Sequence, residues 1–355
     1  MKFRVKRVAL LSALFVLLAL AVVDIWVNKE NVLESFSRQF LNEAKTDALH
    51  ASKRSASATA ERLIEVNRSM ADEVHLSAEG DPITVKRSTG QMIQLQYKIT
   101  AYGATNDEAD QRLNKIDVSR EVTAGLLTFA AKAGGKPVDP DEIDIEYTLL
   151  VPDGFKVKVD SNRGDIRIEG VRADVNVEAA YGNMEIVDVS GYVAAKSSYG
   201  SLYISGVTGN VELNNQSSAA KVEQVSGWLT LNNHSGKMSV SQIAGEATIN
   251  STGGSITMRD MASPVMVESR RADLMFDRVA NHIQVDAEYG KITLILAEAD
   301  GYTVDASTFE GRIQTLLPVA VEREKETSRL RAVIGKGTWK AEIKAIRTDM
   351  MIHTK

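Results

Sequence analysis

Counting in steps of eighteen from Gly164 reaches Gly182, Gly200, Ser218, Gly236, Gly254, Ala272 and Gly290, so eight successive positions hold only Gly, Ser or Ala. Two residues after each stand Ile166, Met184, Leu202, Ala220, Met238, Ile256, Leu274 and Ile292. Four residues after stand Ile168, Ile186, Ile204, Val222, Val240, Met258, Phe276 and Leu294. The second half of each unit opens on its own corner residue, from Ala173, Gly191 and Gly209 to Ser263 and Asn281. An apolar pair follows each, from Val175 with Val177 to Ile283 with Val285. No insertion breaks the count between 164 and 294.

A strict period over this length is the signature of a repeat architecture. If each unit coils once and pairs with the next through parallel strands about 4.8 Å apart, equivalent residues stack and the apolar pairs become continuous interior ladders. One inserted residue would turn a strand's faces inside out, which explains the unbroken register. The expected class is therefore all-β, a parallel β-helix or β-solenoid of 18-residue coils. Gly164, Gly182, Gly200, Gly236, Gly254 and Gly290 are its structural corners, where small residues permit tight turns. A flat meander of hairpins would alternate without keeping this period.

Polar residues stack too. Asn214, Asn232 and Asn250 share one offset, and Ser197, Asn215, Asn233, Ser251 and Ser269 share the next, as expected of side chains that hydrogen-bond along a coil. Tyr181, Tyr199 and Tyr289 share a corner, where they either pack or offer an aromatic strip to sugar rings. Arg259, Arg270, Arg271 and Arg278 form either a local basic patch for an anionic envelope polymer or a solvated face shared with Asp260, Glu268, Asp273 and Asp277. The candidate binding residues are Tyr181, Tyr199, Tyr289, Arg270 and Arg271.

The flanks differ from the repeat. Lys2, Arg4, Lys6 and Arg7 precede an uncharged run from Val8 to Val23 that Ile25, Trp26 and Val27 extend. This fits a bilayer span over residues 8–27 with its N-terminus cytoplasmic and the bulk of the chain across the membrane. The triplet Ala19-Leu20-Ala21 leaves a cleaved signal, and so secretion, as the alternative, although the run is long for one. Leu33, Phe36, Phe40 and Ala44 recur at helical spacing, so residues 28–72 read as a juxtamembrane helical stalk. Residues 73–152 read as a small α+β module leading into the coil. Strands are expected at "QMIQLQYKITAY" and "DEIDIEYTLLVP", and a helix between them is capped by Thr105 and Glu108. The solenoid then covers 153–310. The count slips after Ile295, and 311–355 reads as a closing coil or cap, with "EREKETSRLR" a loop or short solvated helix.

Composition narrows the function classes. Apolar residues at 44% indicate a folded chain, and a net charge of −5 over 355 residues gives no field for nucleic acid. With no cysteine, disulfides, thiolate nucleophiles and cysteine metal sites are excluded. The five histidines are scattered, and "GKG" at Gly335 lacks the frame of a phosphate loop. Asp188 and Asp260 share an offset, but Gly170, Gly206, Gln224, Gln242 and Arg278 fill the same column, so no paired catalytic carboxylates arise. No enzyme activity, cofactor or metal is expected.

The run "YTLLVPDGFKVKVDSNRGDIRIEG" has a VPxG turn at Val151, Pro152 and Gly154, then a GDI-type strand at Gly164, Asp165 and Ile166, then glycine-punctuated repeats. This succession resembles the bacterial DUF4097 adhesin-like domains over about residues 74 to 345. The resemblance implies an envelope-associated β-solenoid, and it carries over no catalytic residue. The expected function is a membrane-anchored, extracytoplasmic protein presenting a rigid solenoid for binding or adhesion. Its partners would be the bilayer through residues 8–27 and an envelope polymer or envelope protein, with no nucleic acid. A regulatory or sensory component of an envelope-stress response and a self-assembling envelope scaffold are the alternatives.

Overall fold

The computed structural model describes residues 54–296 and 301–354. The expected membrane segment, residues 8–27, and the stalk over 28–53 lie outside the described residues. Among the described residues no helix is long and apolar enough to cross a membrane. Two compact units are present, one holding residues 54–58 and 101–112, the other Thr59–Thr100 and the chain from Leu113 onward.

The smaller unit contains most of the helix Asn106–Leu113. Its start follows the capping pattern: the Glu108 N–H donates to Thr105 Oγ1 (3.3 Å), and the Glu108 carboxylate accepts from the Ala104 N–H (2.9 Å). Arg112 Nη2 then donates to the other Glu108 oxygen at 2.7 Å.

The larger unit is a stack of parallel strands in an 18-residue register. Strand Val175–Tyr181 pairs with Val193–Tyr199, and Val175, Val177 and Ala179 lie beside Val193, Ala195 and Ser197. The other wall repeats the pattern, with Met184 beside Leu202 and Ile186 beside Ile204. These apolar pairs, and the column Val171, Val189, Val207, Val225, Ile243, Met261 and Val279, are buried throughout. Burial of one such side chain is worth about 1.5–3 kcal/mol, so the interior ladders supply the main driving force.

The corners combine two devices. At each predicted corner glycine, a Cβ would lie against the carbonyl oxygen of the rung below; at Gly200 it would sit 2.2 Å from Gly182 O. The close approach accounts for glycine at these six positions, while Ser218 and Ala272 hold the same column with a Cβ. Asx side chains add a bond between rungs: Asp165 Oδ1 accepts from the Asn183 N–H (2.7 Å), and Asn183 Oδ1 from the Ser201 N–H (3.2 Å). Gly182, Gly200, Gly254 and Gly290 have positive φ, between 83° and 130°, and a second left-handed position recurs elsewhere in the rung, at Asp188, Gly206, Gln224, Gln242, Asp260 and Arg278, with φ between 51° and 70°. Most residues there carry side chains, so the sequence does not advertise the bend.

Three expectations need correction. The helical stalk does not extend to residue 72, because Ala56–Asn67 is a strand paired with Met92–Gly103. In it Ala56, Ala58, Ala60, Arg62 and Ile64 alternate with the exposed Ser57, Thr59, Glu61, Leu63 and Glu65, and this period of two outweighs the helix propensity of Ala, Glu and Arg. The coil also begins before 153. Val74 and Leu76 lie beside Val157 and Val159, and Ile83 beside Ile166, so residues 73–87 already form a rung. Leu126–Ala133 and Ile143–Val151 pair in parallel beneath that rung. The segment "EREKETSRLR" is neither loop nor helix but lies in a hairpin of Glu322–Glu324 with Thr327–Ile334.

The slip after Ile295 also has a structural cause. The strand Trp339–Thr354 lies between Ile283–Leu296 and Tyr302–Phe309, parallel to both; Ile343 sits beside Val285 on one side and Ala306 on the other. Gly290 and the Gly311 region are therefore two rungs apart, not one. The outermost strands are covered in turn: Thr327–Ile334 pairs antiparallel with Tyr302–Phe309, and Ile116–Thr123 pairs antiparallel with Leu126–Ala133. Hairpins thus occupy edges that would otherwise attract other chains.

One interior column is polar. Asn233 donates to Ser251 Oγ (3.1 Å) and Gly253 O (2.9 Å), and its Oδ1 accepts from Asn215 (2.8 Å) and the Gly236 N–H (3.2 Å). Ser197 and Ser218 share a 2.5 Å hydroxyl contact. Ser269 Oγ, sealed from solvent, has no partner among the described residues, and the next rung places Ala287 at that position. Asn233→Ala should therefore lower unfolding free energy by about 2–4 kcal/mol, whereas Ser269→Ala should leave it unchanged or raise it by up to about 1 kcal/mol, as read by urea denaturation.

Asp81 adds a pH dependence. It is half-buried, accepts the Ile145 N–H at 2.7 Å and stands near Asp144; burial first, then Asp144, pushes its carboxyl up to about 6 against the lowering effect of that hydrogen bond. The folded state holds this proton more tightly than the unfolded chain does, so the group's contribution is fully present below about pH 4 and declines as pH rises to about 6. Asp81→Asn, which keeps the accepting oxygen, should stabilise the protein at pH 7.5 by about 1–2 kcal/mol and have little effect at pH 4. Melting curves at the two pH values provide the check.

Candidate functional site

Beyond the second strand of each rung, the residues turning toward the glycine corner line an open groove of about 930 Å³ that runs along the stack. It extends from the Lys196 rung through those of Asn214, Asn232, Asn250, Glu268, Asp286 and Lys344 to that of Ser307. Eight rungs at about 4.8 Å give a length of roughly 34 Å.

One wall is an amide ladder. Asn232 Nδ2 donates to Asn214 Oδ1 (2.9 Å), and Asn250 Nδ2 donates to Asn232 Oδ1 (3.0 Å). The floor is the buried Ser and Asn column described above, whose hydrogen bonds hold the backbone turn in place. The facing wall carries Ser198, Gln216, His234 and Thr252. The Thr252 hydroxyl donates to His234 O at 3.0 Å, so the 2.8 Å contact with His234 Nδ1 is assigned as the ring N–H donating to Thr252. In this arrangement the histidine is no base toward the hydroxyl.

Charge is kept off the asparagine stretch: Lys196 stands at one end, and Glu268, Arg270, Asp286, Glu288 and Lys344 lie on the rungs beyond Asn250. Lys196 meets Glu178 at 2.5 Å, Arg270 meets Glu288 at 3.7 Å, and Lys344 meets Glu342 at 2.8 Å. Lys340 and then Lys344, both hydrogen-bonded to Glu342, hold its carboxyl down at about 2. Over the asparagine stretch the groove presents amides and hydroxyls, which both donate and accept hydrogen bonds.

The tyrosine corner borders this groove but is not one strip. Tyr181 and Tyr199 stack at 5.0 Å with planes 8° apart. Ser217, Ser235, Gly253 and Arg271 occupy the following rungs, and Tyr289 comes next, where Arg347 donates to its hydroxyl at 2.7 Å and lies over its ring. Ser217, Ser235 and Gly253 keep the middle of the border low, before Arg271 and Tyr289. Phe309 and Ile346, both partly exposed, line the far end.

The four arginines do not form a patch. Arg278 is held by Asp260 (2.5 Å) and Asp277 (3.2 Å), and Arg259 approaches Asp277 at 3.6 Å. Arg270 lies in the groove instead, and Arg271 turns the corner beside it with φ of 50°. Acidic residues one rung away disperse the basic cluster that the sequence suggested. Among the described residues no group of three or more His, Asp or Glu could hold a metal ion. The sequence located both polar ladders but not the groove, which exists only once Asn214, Asn232, Asn250 and their neighbours are stacked rung on rung.

Comparison with known proteins bears on the fold alone. No curated protein matches the chain. Solved structures that resemble it include a "putative cell adhesion protein" from Clostridium sporogenes, 10% identical over 84% of this chain and 100% of that one, with a TM-score of 0.22. A "putative adhesin" from Bacteroides fragilis is 15% identical over 83% of this chain and 96% of its own, with a TM-score of 0.30. A "putative lipid binding protein" from Parabacteroides distasonis is 14% identical over 64% and 94%, with a TM-score of 0.41. The family model described as Toastrack DUF4097 matches residues 71–352. With its glycine-cornered parallel rungs enclosed by that match, the chain belongs to the Toastrack DUF4097 family.

Proposed function

We propose that this protein is a non-enzymatic binding module that holds an extended envelope ligand along the groove. The observation that carries the reading is the uncharged amide wall of Asn214, Asn232 and Asn250 set along a channel of about 930 Å³. A rigid row of donors and acceptors at fixed spacing suits a long ligand that makes the same contacts repeatedly, and it supplies no activated nucleophile. The basic and apolar segment at residues 2–27 supports placing the module across a membrane, anchored by residues 8–27. Two of the similar structures bear adhesin or adhesion names, which agrees with a binding role. The hairpins covering both ends of the stack weigh against end-to-end assembly as a scaffold.

Cosedimentation of the full-length protein with insoluble cell-wall material tests the reading. The wild type should pellet with the wall, and Ser235→Trp, which fills the low part of the border, should reduce the pelleted fraction at least about tenfold with an unchanged melting temperature. Because each basic residue of the groove already has an acidic partner and the asparagine stretch carries no charge, retention should change less than about twofold on raising NaCl to about 0.5 M. A wild-type protein that stays in the supernatant would overturn the proposal.

A further inference from the structure

We infer that the ligand of the groove is a linear, uncharged polysaccharide lying along the coil axis; this rests on the binding role proposed above. The first argument is valence. Asn232 spends one amide N–H on Asn214 and offers its oxygen to Asn250, so an N–H and an acceptor site remain for a ligand. Sugar hydroxyls and acetamido groups both donate and accept, and so satisfy such a row on every rung. The second argument is charge. Lys196, Arg270 and Lys344 each have an acidic partner, and Glu268 and Asp286 line the groove as well, so a polyanion would have to displace those partners, would face two further carboxylates and would meet only amides over the asparagine stretch.

Two other ligand classes fit less well. A peptide adds to a β-protein through free backbone groups at a sheet edge, but strand Leu229–Asn233 at the groove's centre is paired on both sides, by Val211–Asn215 and Ala247–Ser251. A lipid chain needs a continuous apolar lining, whereas the side chains here are Asn, Ser, Gln, His and Thr over the asparagine stretch and then Glu268, Arg270, Asp286 and Lys344, with Phe309 and Ile346 confined to one end. The geometry also sets ligand length. From Tyr199 to Tyr289 is five rungs, roughly 24 Å, so several linked sugars are needed to fill the space between them.

Isothermal titration calorimetry of the full-length protein with chitohexaose, cellohexaose and polygalacturonate tests this. Binding of either neutral hexaose supports the inference if Asn232→Ala weakens it at least about tenfold and Ser235→Trp abolishes it, with melting temperatures unchanged. The comparison between the two hexaoses tells whether acetamido groups or hydroxyls are recognised. Failure of both hexaoses, tighter binding of polygalacturonate, or hexaose binding indifferent to both substitutions would overturn it. Wall retention that still depends on Ser235 while both hexaoses fail would sink the polysaccharide and leave the binding module standing.

Discussion

The periodic stack of the larger unit depends on parallel hydrogen bonding between residues eighteen apart. That ladder sets the distance between rungs, and the distance brings Gly200 so close to the Gly182 carbonyl that a side chain has no room. It also places Ile186 beneath Ile204 and Asn214 beneath Asn232, so that both the hydrophobic interior and the amide wall are by-products of one register. A change that slipped a single rung would misalign both at once.

The interior ladder is not uniformly apolar, and the groove is its outward counterpart. Where the floor column changes from Ala179 to Ser197, Asn215 and Asn233, the side chains bond to groups of the turn, Ser197 to the Ser218 hydroxyl and Asn215 to Ser218 O at 3.0 Å. The turn is fixed by side chains inside it, which frees the residues outside it from structural duty. Those outer residues, Asn214, Gln216 and their equivalents, line the open channel.

The sequence made local and periodic features legible. The apolar pairs, the corner glycines, the polar columns and the Thr105–Glu108 cap all repeat or sit close in sequence, and all take their expected places. Features that depend on distant pairing were hidden. Ala56–Asn67 becomes a strand because Met92–Gly103 is available to it, and Val74 becomes part of a rung because Val157 lies beside it. The left-handed column was hidden for a different reason: Asp188, Gln224 and Arg278 take that conformation without the glycine that would announce it. Tyr289 shares an offset with Tyr199, but four intervening rungs and Arg347 give it a separate role.

The interleaving of Trp339–Thr354 between two earlier strands has a consequence for how the chain can be assembled. Most rungs can be laid down in the order they leave the ribosome, each on the surface left by the last. Tyr302–Phe309 cannot, because the surface on which it finally rests is made of residues translated after it. Until they arrive, the growing stack ends at Ile283–Leu296, and the strand that will become the outermost rung has no neighbour on its inner side. The last rungs therefore cannot be completed in chain order, and the late-arriving strand is the one that bridges the periodic stack and its cap.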